Sequence, residues 1–188
     1  MSRWQPDASG RLVKAALELY AERGYEQTTV AEIAARAGLT ERTFFRHHAD
    51  KREVLFGGSR EMAEAFAAAV AEAPGSAAPI DAVAVGLDAI AEGFTGRLEF
   101  VRRRQAVIAA SAELRERELV KLASLADALT VALRGRGVAE PAASLTAEAG
   151  IAAFKVGFAR WVADPDDGEL AHWTRDSLRA LRAATGEG

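Results

Sequence analysis

The sequence predicts an all-α chain of about nine helices, with a compact three-helix unit at the N-terminus and a larger helical body after it. Apolar residues recur at helical spacing through most of the 188 residues, and no segment alternates as a strand does. Turn-forming residues cut the chain into pieces of helical length, at Gly24, Gly38, Pro74 to Pro79, Gly96, Gly135 to Pro141 and Asp164 to Gly168. Between Gly24 and Leu55, three capping signals and two glycine stops fall in register.

The first helix is expected from near Ser9, with Val13, Ala16, Leu17 and Tyr20 at i, i+3, i+4, i+7 spacing and Gly24 as its stop. Thr29-Val30-Ala31-Glu32 reads as a capping box, and Val30, Ile33, Ala34 and Ala37 form the stripe of the second helix. Gly38 ends it, because glycine enters the left-handed region without a Cβ penalty. Thr40 caps a short third helix, Glu41 to His47. Asp50-Lys51-Arg52-Glu53 offers another capping box, which predicts a fourth helix running to about Glu72 with Val54, Leu55, Met62, Phe66 and Val70 inward. Gly57-Gly58 interrupts it and gives it a soft point. Further helices are expected near 80–94, 97–110, 113–134, 141–163 and 169–184.

Composition narrows the function classes. Apolar residues make up 49% of the chain, enough for a core, and the absence of cysteine excludes a disulfide framework, a thiolate metal site or a cysteine nucleophile. The N-terminal stretch has no signal-peptide h-region, and no apolar run is long enough for a membrane span. A cytoplasmic protein without membrane or cofactor is the expectation. Net charge is -3, but residues 1–60 carry ten Lys or Arg against eight Asp or Glu, so the basic excess lies with the compact motif. The histidines are His47, His48 and His172, and there is no HExxH, GxSxG or phosphate-cradling glycine loop. His47 and His48 are adjacent, so their side chains diverge on a helix and make no metal pair. An enzyme, or a helical scaffold, is the weaker reading.

A short helix entered through a tight turn is what a helix-turn-helix places in the major groove. Thr40, Glu41 and Arg42 project at its start. Arg42 suits a bidentate contact to guanine and Glu41 can accept from cytosine N4. Phe45 is a candidate for a thymine methyl or a sugar. Thr29, Thr43, Arg46, His47 and Lys51 are candidates for phosphate. His48 either packs as a neutral ring or turns outward toward DNA. Arg3 and Trp4 suit a minor-groove arm or an inert terminus.

Residues 9–56 closely resemble the DNA-binding region of TetR-family transcriptional regulators. The resemblance is carried by Gly24-Tyr25, Thr28-Thr29-Val30, Ile33-Ala34, the turn Ala37-Gly38-Leu39-Thr40, Thr43-Phe44-Phe45-Arg46-His47, Lys51 and Leu55. Phe45 departs from the tyrosine common in the family, and His48 from a core aromatic or aliphatic residue. The resemblance implies phosphate contacts at Thr43, His47 and Lys51. It divides the chain into a DNA-binding domain, 1–50 with the start of a connecting helix at 51–56, and an effector-binding and dimerisation domain, 57–188.

Within that body, Leu98, Val101, Gln105 and Ile108 share one face, which makes Gln105 a polar group on an apolar stripe, suited to orienting a ligand or to a satisfied core position. Phe66, Phe94, Phe154 and Phe158 are the aromatic candidates for a pocket or for plain core. Lys155 either meets an acidic effector or reaches solvent. The last two helices are implied to form a four-helix dimer interface, with Trp161, Val162, Trp173 and Leu178 as candidates, and Trp161 either anchors that interface or belongs to the intrachain core. The function so implied is a homodimeric repressor, released from a pseudo-palindromic double-stranded operator by a small lipophilic or aromatic effector. An activator or a ligand-independent regulator of the same fold is the alternative.

Overall fold

The computed structural model describes residues 7–166 and 168–186, so Arg3 and Trp4 lie outside the described residues. The chain forms α1 (Ala8–Arg23), α2 (Val30–Arg36), α3 (Glu41–His47), a 3-10 turn (Glu53–Leu55), α4 (Ser59–Glu72), α5 (Pro79–Glu92), α6 (Leu98–Ala110), α7 (Ala112–Gly135), α8 (Ala142–Ala163) and α9 (Leu170–Thr185). Among the described residues there is no strand, and the all-α class holds. The helices fall into two compact units: residues up to Gly58 with Glu99–Glu118, and Ser59–Leu98 with Leu119 onward. The sequence division at 56/57 placed 99–118 with the body, whereas the compact unit takes that segment with the head.

In the first unit, local signals start and stop each short helix. The Thr29 hydroxyl accepts the Glu32 N–H at 3.3 Å, and the Glu32 carboxylate accepts the Thr29 N–H at 2.9 Å, which completes the expected capping box. Gly38, at φ +65, turns the chain into α3, whose N-cap Thr40 accepts the Thr43 N–H at 3.2 Å. Leu12, Leu19, Ile33, Phe44 and Val54 are fully buried and form one core with Val107, Ile108 and Leu114 of the 99–118 segment. Two hydrophobes of α6 and one of α7 thus complete the core beneath α1 to α3.

The expected fourth helix from Asp50 does not form as one piece. Asp50 Oδ1 does accept the Glu53 N–H at 2.9 Å, but the helical turn lasts only from Glu53 to Leu55. The Leu55 carbonyl, which a continuing helix would offer to Ser59, instead accepts from Arg104 Nε at 2.9 Å. The guanidinium groups of Arg104 and Arg117 each stand 4.9 Å from the Phe56 ring centre. Those two arginines are themselves paired, Arg104 with Glu118 at 2.9 Å and Arg117 with Glu53 at 2.5 Å. Gly58 then takes φ +85, and α4 starts afresh at Ser59. Lys51 therefore sits in a turn and not in the first turn of a helix.

In the second unit α4 packs on α5, α5 on α8 and α9, and α8 on α9. Glycine permits the closest crossings. A Cβ at Gly157 of α8 would stand 2.8 Å from the Thr174 Cα and the Trp173 carbonyl of α9, and one at Gly86 of α5 would stand 2.4 Å from the Phe66 ring. Arg136 reaches back across the sequence to the end of α4. Its guanidinium donates to the carbonyls of Val70, Ala71, Ala73 and Pro74 at 2.6–3.3 Å, around the C-terminal end of α4. No helix among the described residues is long and apolar enough to cross a membrane.

Candidate nucleic-acid interface

The third helix is anchored by one side chain and free on the other face. Phe44 is 0% exposed and fixes α3 against the core. Glu41, Arg42, Phe45 and Arg46, at i, i+1, i+4 and i+5, face outward together, and Phe45 keeps 55% of its surface exposed. Such an apolar side chain, edge-on to Phe44 at 5.5 Å, is held in place without being covered. Among the described residues neither Glu41 nor Arg42 has a protein partner. Their hydrogen-bonding capacity is available to base edges, where a guanidinium matches the two acceptors of guanine. Thr40 and Thr43 share a hydroxyl–hydroxyl contact at 3.1 Å, so Thr40 serves first as the cap of the reading helix. Arg46 and His47 are exposed at its C-terminal end, with Arg46 Nη2 3.5 Å from His47 Nε2.

Two candidates for phosphate are occupied within the chain. The Thr29 hydroxyl donates to Glu32 at 2.8 Å as part of the capping box. The Lys51 ammonium donates to the carbonyls of Tyr25, Thr28 and Glu26 at 3.0, 3.2 and 3.4 Å.

Of the two arrangements open for His48, the structure takes the inward one. Its ring is buried beside Phe44, its Nε2 is without a hydrogen-bond partner, and desolvation together with neighbouring His47 pulls its pKa below the usual 6.5.

Sequence reasoning missed the group that sets the turn between α2 and α3. Arg11, on α1, donates from Nε to the Ala37 carbonyl at 3.0 Å and from Nη2 to the carbonyls of Ala37 and Gly38. A cation thus caps the carbonyl end of α2, where the helix dipole is negative. The only sequence signal was an arginine at the edge of the α1 stripe, twenty-six residues from its partner.

The body candidates separate. Phe94, Phe154 and Phe158 come together with Trp161 in one aromatic cluster, with ring centres 5.5–5.8 Å apart along the chain of contacts. Phe66 is fully buried against Gly86 and Val70. Gln105 belongs to the first unit, not to the unit of the four phenylalanines, and its side-chain nitrogen is buried without a partner. Lys155 is exposed.

The interface candidates also need correction. Trp161 is 3% exposed within the single chain and its Nε1 donates to the Gly168 carbonyl at 2.6 Å, while Leu178 is equally covered, so neither has surface left to offer a partner. Both belong to the intrachain core, because α9 folds onto α8 at Gly157. Val162 and Trp173 remain half-buried, with Trp173 Nε1 donating to Asp164 at 3.2 Å and Arg160 stacked on its ring at 4.5 Å.

An outward face on α3, a capped turn before it and a buried aromatic anchor make up a helix-turn-helix. Comparison with known proteins identifies the kind. Residues 12–56 match the family described as bacterial regulatory proteins, tetR family. The chain is 40% identical over 80 residues to the HTH-type transcriptional regulator TcmR of Streptomyces glaucescens, a stretch covering 43% of this chain and 35% of that protein's length. The solved structure of FadR from Thermus thermophilus, a TetR-family repressor in complex with lauroyl-CoA, matches with 25% identity over 92% of both chains and a TM-score of 0.55. SmeT of Stenotrophomonas maltophilia, in complex with triclosan, shares the fold at 20% identity, over 94% of this chain and 90% of that one, with a TM-score of 0.65. Residues 12–56 thus carry the DNA-binding region of the tetR family of bacterial regulatory proteins, and the chain as a whole is similar in fold to solved TetR-family structures.

Proposed function

We propose that this protein is a homodimeric repressor that leaves a pseudo-palindromic operator when a lipophilic or aromatic small molecule binds its body. The observation that carries the DNA half is the outward constellation of Glu41, Arg42, Phe45 and Arg46 on a helix held by buried Phe44. In this reading Arg42 binds guanine, Glu41 accepts from cytosine, Phe45 covers a thymine methyl and Thr40 completes the base contacts. Thr43, Arg46 and His47 hold phosphates, while the Thr29 hydroxyl stays with Glu32 in the capping box.

The body half draws on the aromatic cluster of Phe94, Phe154, Phe158 and Trp161, an apolar setting suited to a ligand of the same character. FadR is seen with lauroyl-CoA, whose acyl chain is apolar, and SmeT with triclosan, an aromatic compound. A ligand releases DNA only if it prefers the state whose two heads no longer match the half-site spacing. Dimerisation is assigned to α8 and α9. Val162 and Trp173 contribute there, joined by Val156 of α8, which is 54% exposed.

The test is to select duplexes from a random-sequence pool and titrate lauroyl-CoA or triclosan into the complex. Release of a selected palindromic duplex supports the repressor reading. Tighter binding with either compound supports the activator alternative, and an Arg42→Ala protein that selects the same duplex equally well sinks the assignment of the base reader.

A further inference from the structure

We infer that Phe45 reads a C5-methyl group and not a particular base, so that methylation of an operator cytosine at C5 strengthens binding. This rests on the DNA-binding reading above and extends it from base sequence to base modification. Phe45 keeps 55% of its surface exposed, whereas Phe44 beside it is 0% exposed. The two rings meet edge to face with centres 5.5 Å apart, so the buried ring holds the exposed one in place. At about 100° per helical residue, Phe45 falls between Glu41 and Arg42 on the outward face of α3. It thus stands among the side chains offered to base edges. Arg46, Thr43 and His47, the candidates for phosphate, follow farther round the helix.

A phenyl ring has neither donor nor acceptor, so in the groove it gains only by covering apolar surface. Along the base edges of the major groove, the apolar group is the C5-methyl of thymine. Cytosine methylated at C5 carries the same group at the same ring position, while its amino group takes the place of the thymine O4 acceptor. Phe45 has nothing with which to tell that donor from that acceptor. Glu41 precedes Phe45 by one helical turn, which sets their Cβ atoms about 5–6 Å apart. At about 3.4 Å per base pair, the methyl that Phe45 covers lies within about two base pairs of the base that Glu41 meets. A C5-methyl placed there on either pyrimidine buries itself against the ring, and a bare C5–H leaves the ring partly uncovered.

The test compares the full-length wild type and Phe45→Ala on a duplex that the wild type selects from a random-sequence pool. Anisotropy titrations are run at salt low enough to measure the weaker protein, since phosphate contacts raise affinity there. Each thymine of one half-site, on either strand, is replaced in turn by uracil, which removes only the methyl. Where this matters, further duplexes carry cytosine or 5-methylcytosine, each paired with guanine, in place of the thymine pair. The expected result is a thymine whose replacement weakens the wild type about fourfold, the effect of withdrawing one methyl-sized group from apolar contact. At that position 5-methylcytosine binds about fourfold tighter than cytosine, and both differences vanish in Phe45→Ala. Uracil bound as tightly as thymine at every position puts the ring on a sugar and overturns the inference. A methyl effect that persists in Phe45→Ala overturns it by assigning the contact to another side chain. Methylated cytosine bound no better than cytosine overturns it as well. A wild type that selects no duplex overturns the DNA-binding reading, and the inference with it.

Discussion

At the scale of single residues, reading and holding are done by different side chains. Arg42 is partnerless and exposed, so Arg42→Ala leaves the fold intact and costs about 1–3 kcal/mol of discrimination at one base pair. Anisotropy titrations with single-base operator variants check this. His48 makes the head sensitive to acid. Desolvation lowers its folded pKa beneath 6.5, so the unfolded chain binds the proton more readily. The contribution of the neutral ring is complete above 6.5 and is lost as pH falls from there toward the native value. Thermal unfolding followed on both sides of 6.5 is expected to show a decline that His48→Phe flattens. Equal slopes in the two proteins would remove His48 as the cause. The charges acting on the ring are His47 beside it on α3 and Glu53 in the following turn, the latter weakly opposing the shift.

At the scale of helices, what could be read from sequence was what is local. The Thr29 capping box, the Thr40 cap and the Gly38 stop each act over a few residues, and all appear where the motif places them. The breakers near Pro79, Gly135 and Pro165 likewise bound helices that match expectation closely. The clamps were not legible, because Arg11 meets Ala37 and Arg136 meets Ala73 across long stretches of chain. Nothing in the local pattern marks an arginine as a cap for a distant helix. Arg11→Ala is expected to cost about 1–3 kcal/mol by leaving the carbonyl end of α2 without its donor, read as a lower midpoint of denaturant unfolding. The fourth helix failed as an expectation for the same reason: Arg104, far along the chain, takes the carbonyl that would have continued it. Gly157 shows how tightly two elements depend on one missing atom. Gly157→Ala drives a methyl into the α9 backbone, and overpacking of this kind costs about 1–3 kcal/mol or more. Calorimetry of the variant tests it.

At the scale of the whole molecule, the proposed assembly turns on a surface that the sequence identified only in part. Tryptophan at position 161 suggested an anchor, but helical spacing cannot say whether a large apolar side chain faces its own chain or another. The structure puts it inside, with Phe94 and Phe158 against it. Exposed Val156 is the better probe, and Val156→Asp is expected to give a folded monomer in sedimentation, with operator affinity reduced because two half-sites are no longer bound together.

The head is not a contiguous stretch of chain, and this sets the order in which it can be made. Its core needs Val107, Ile108 and Leu114, which leave the ribosome long after Leu55. Nascent α1 to α3 thus wait, short of part of their core, while forty residues belonging to the other unit, Ser59–Leu98, are synthesised. The same discontinuity governs recombination. A head cut at Gly58 and fused to a foreign body arrives without the α6 and α7 residues that close it, so functional chimeras must carry two segments, not one.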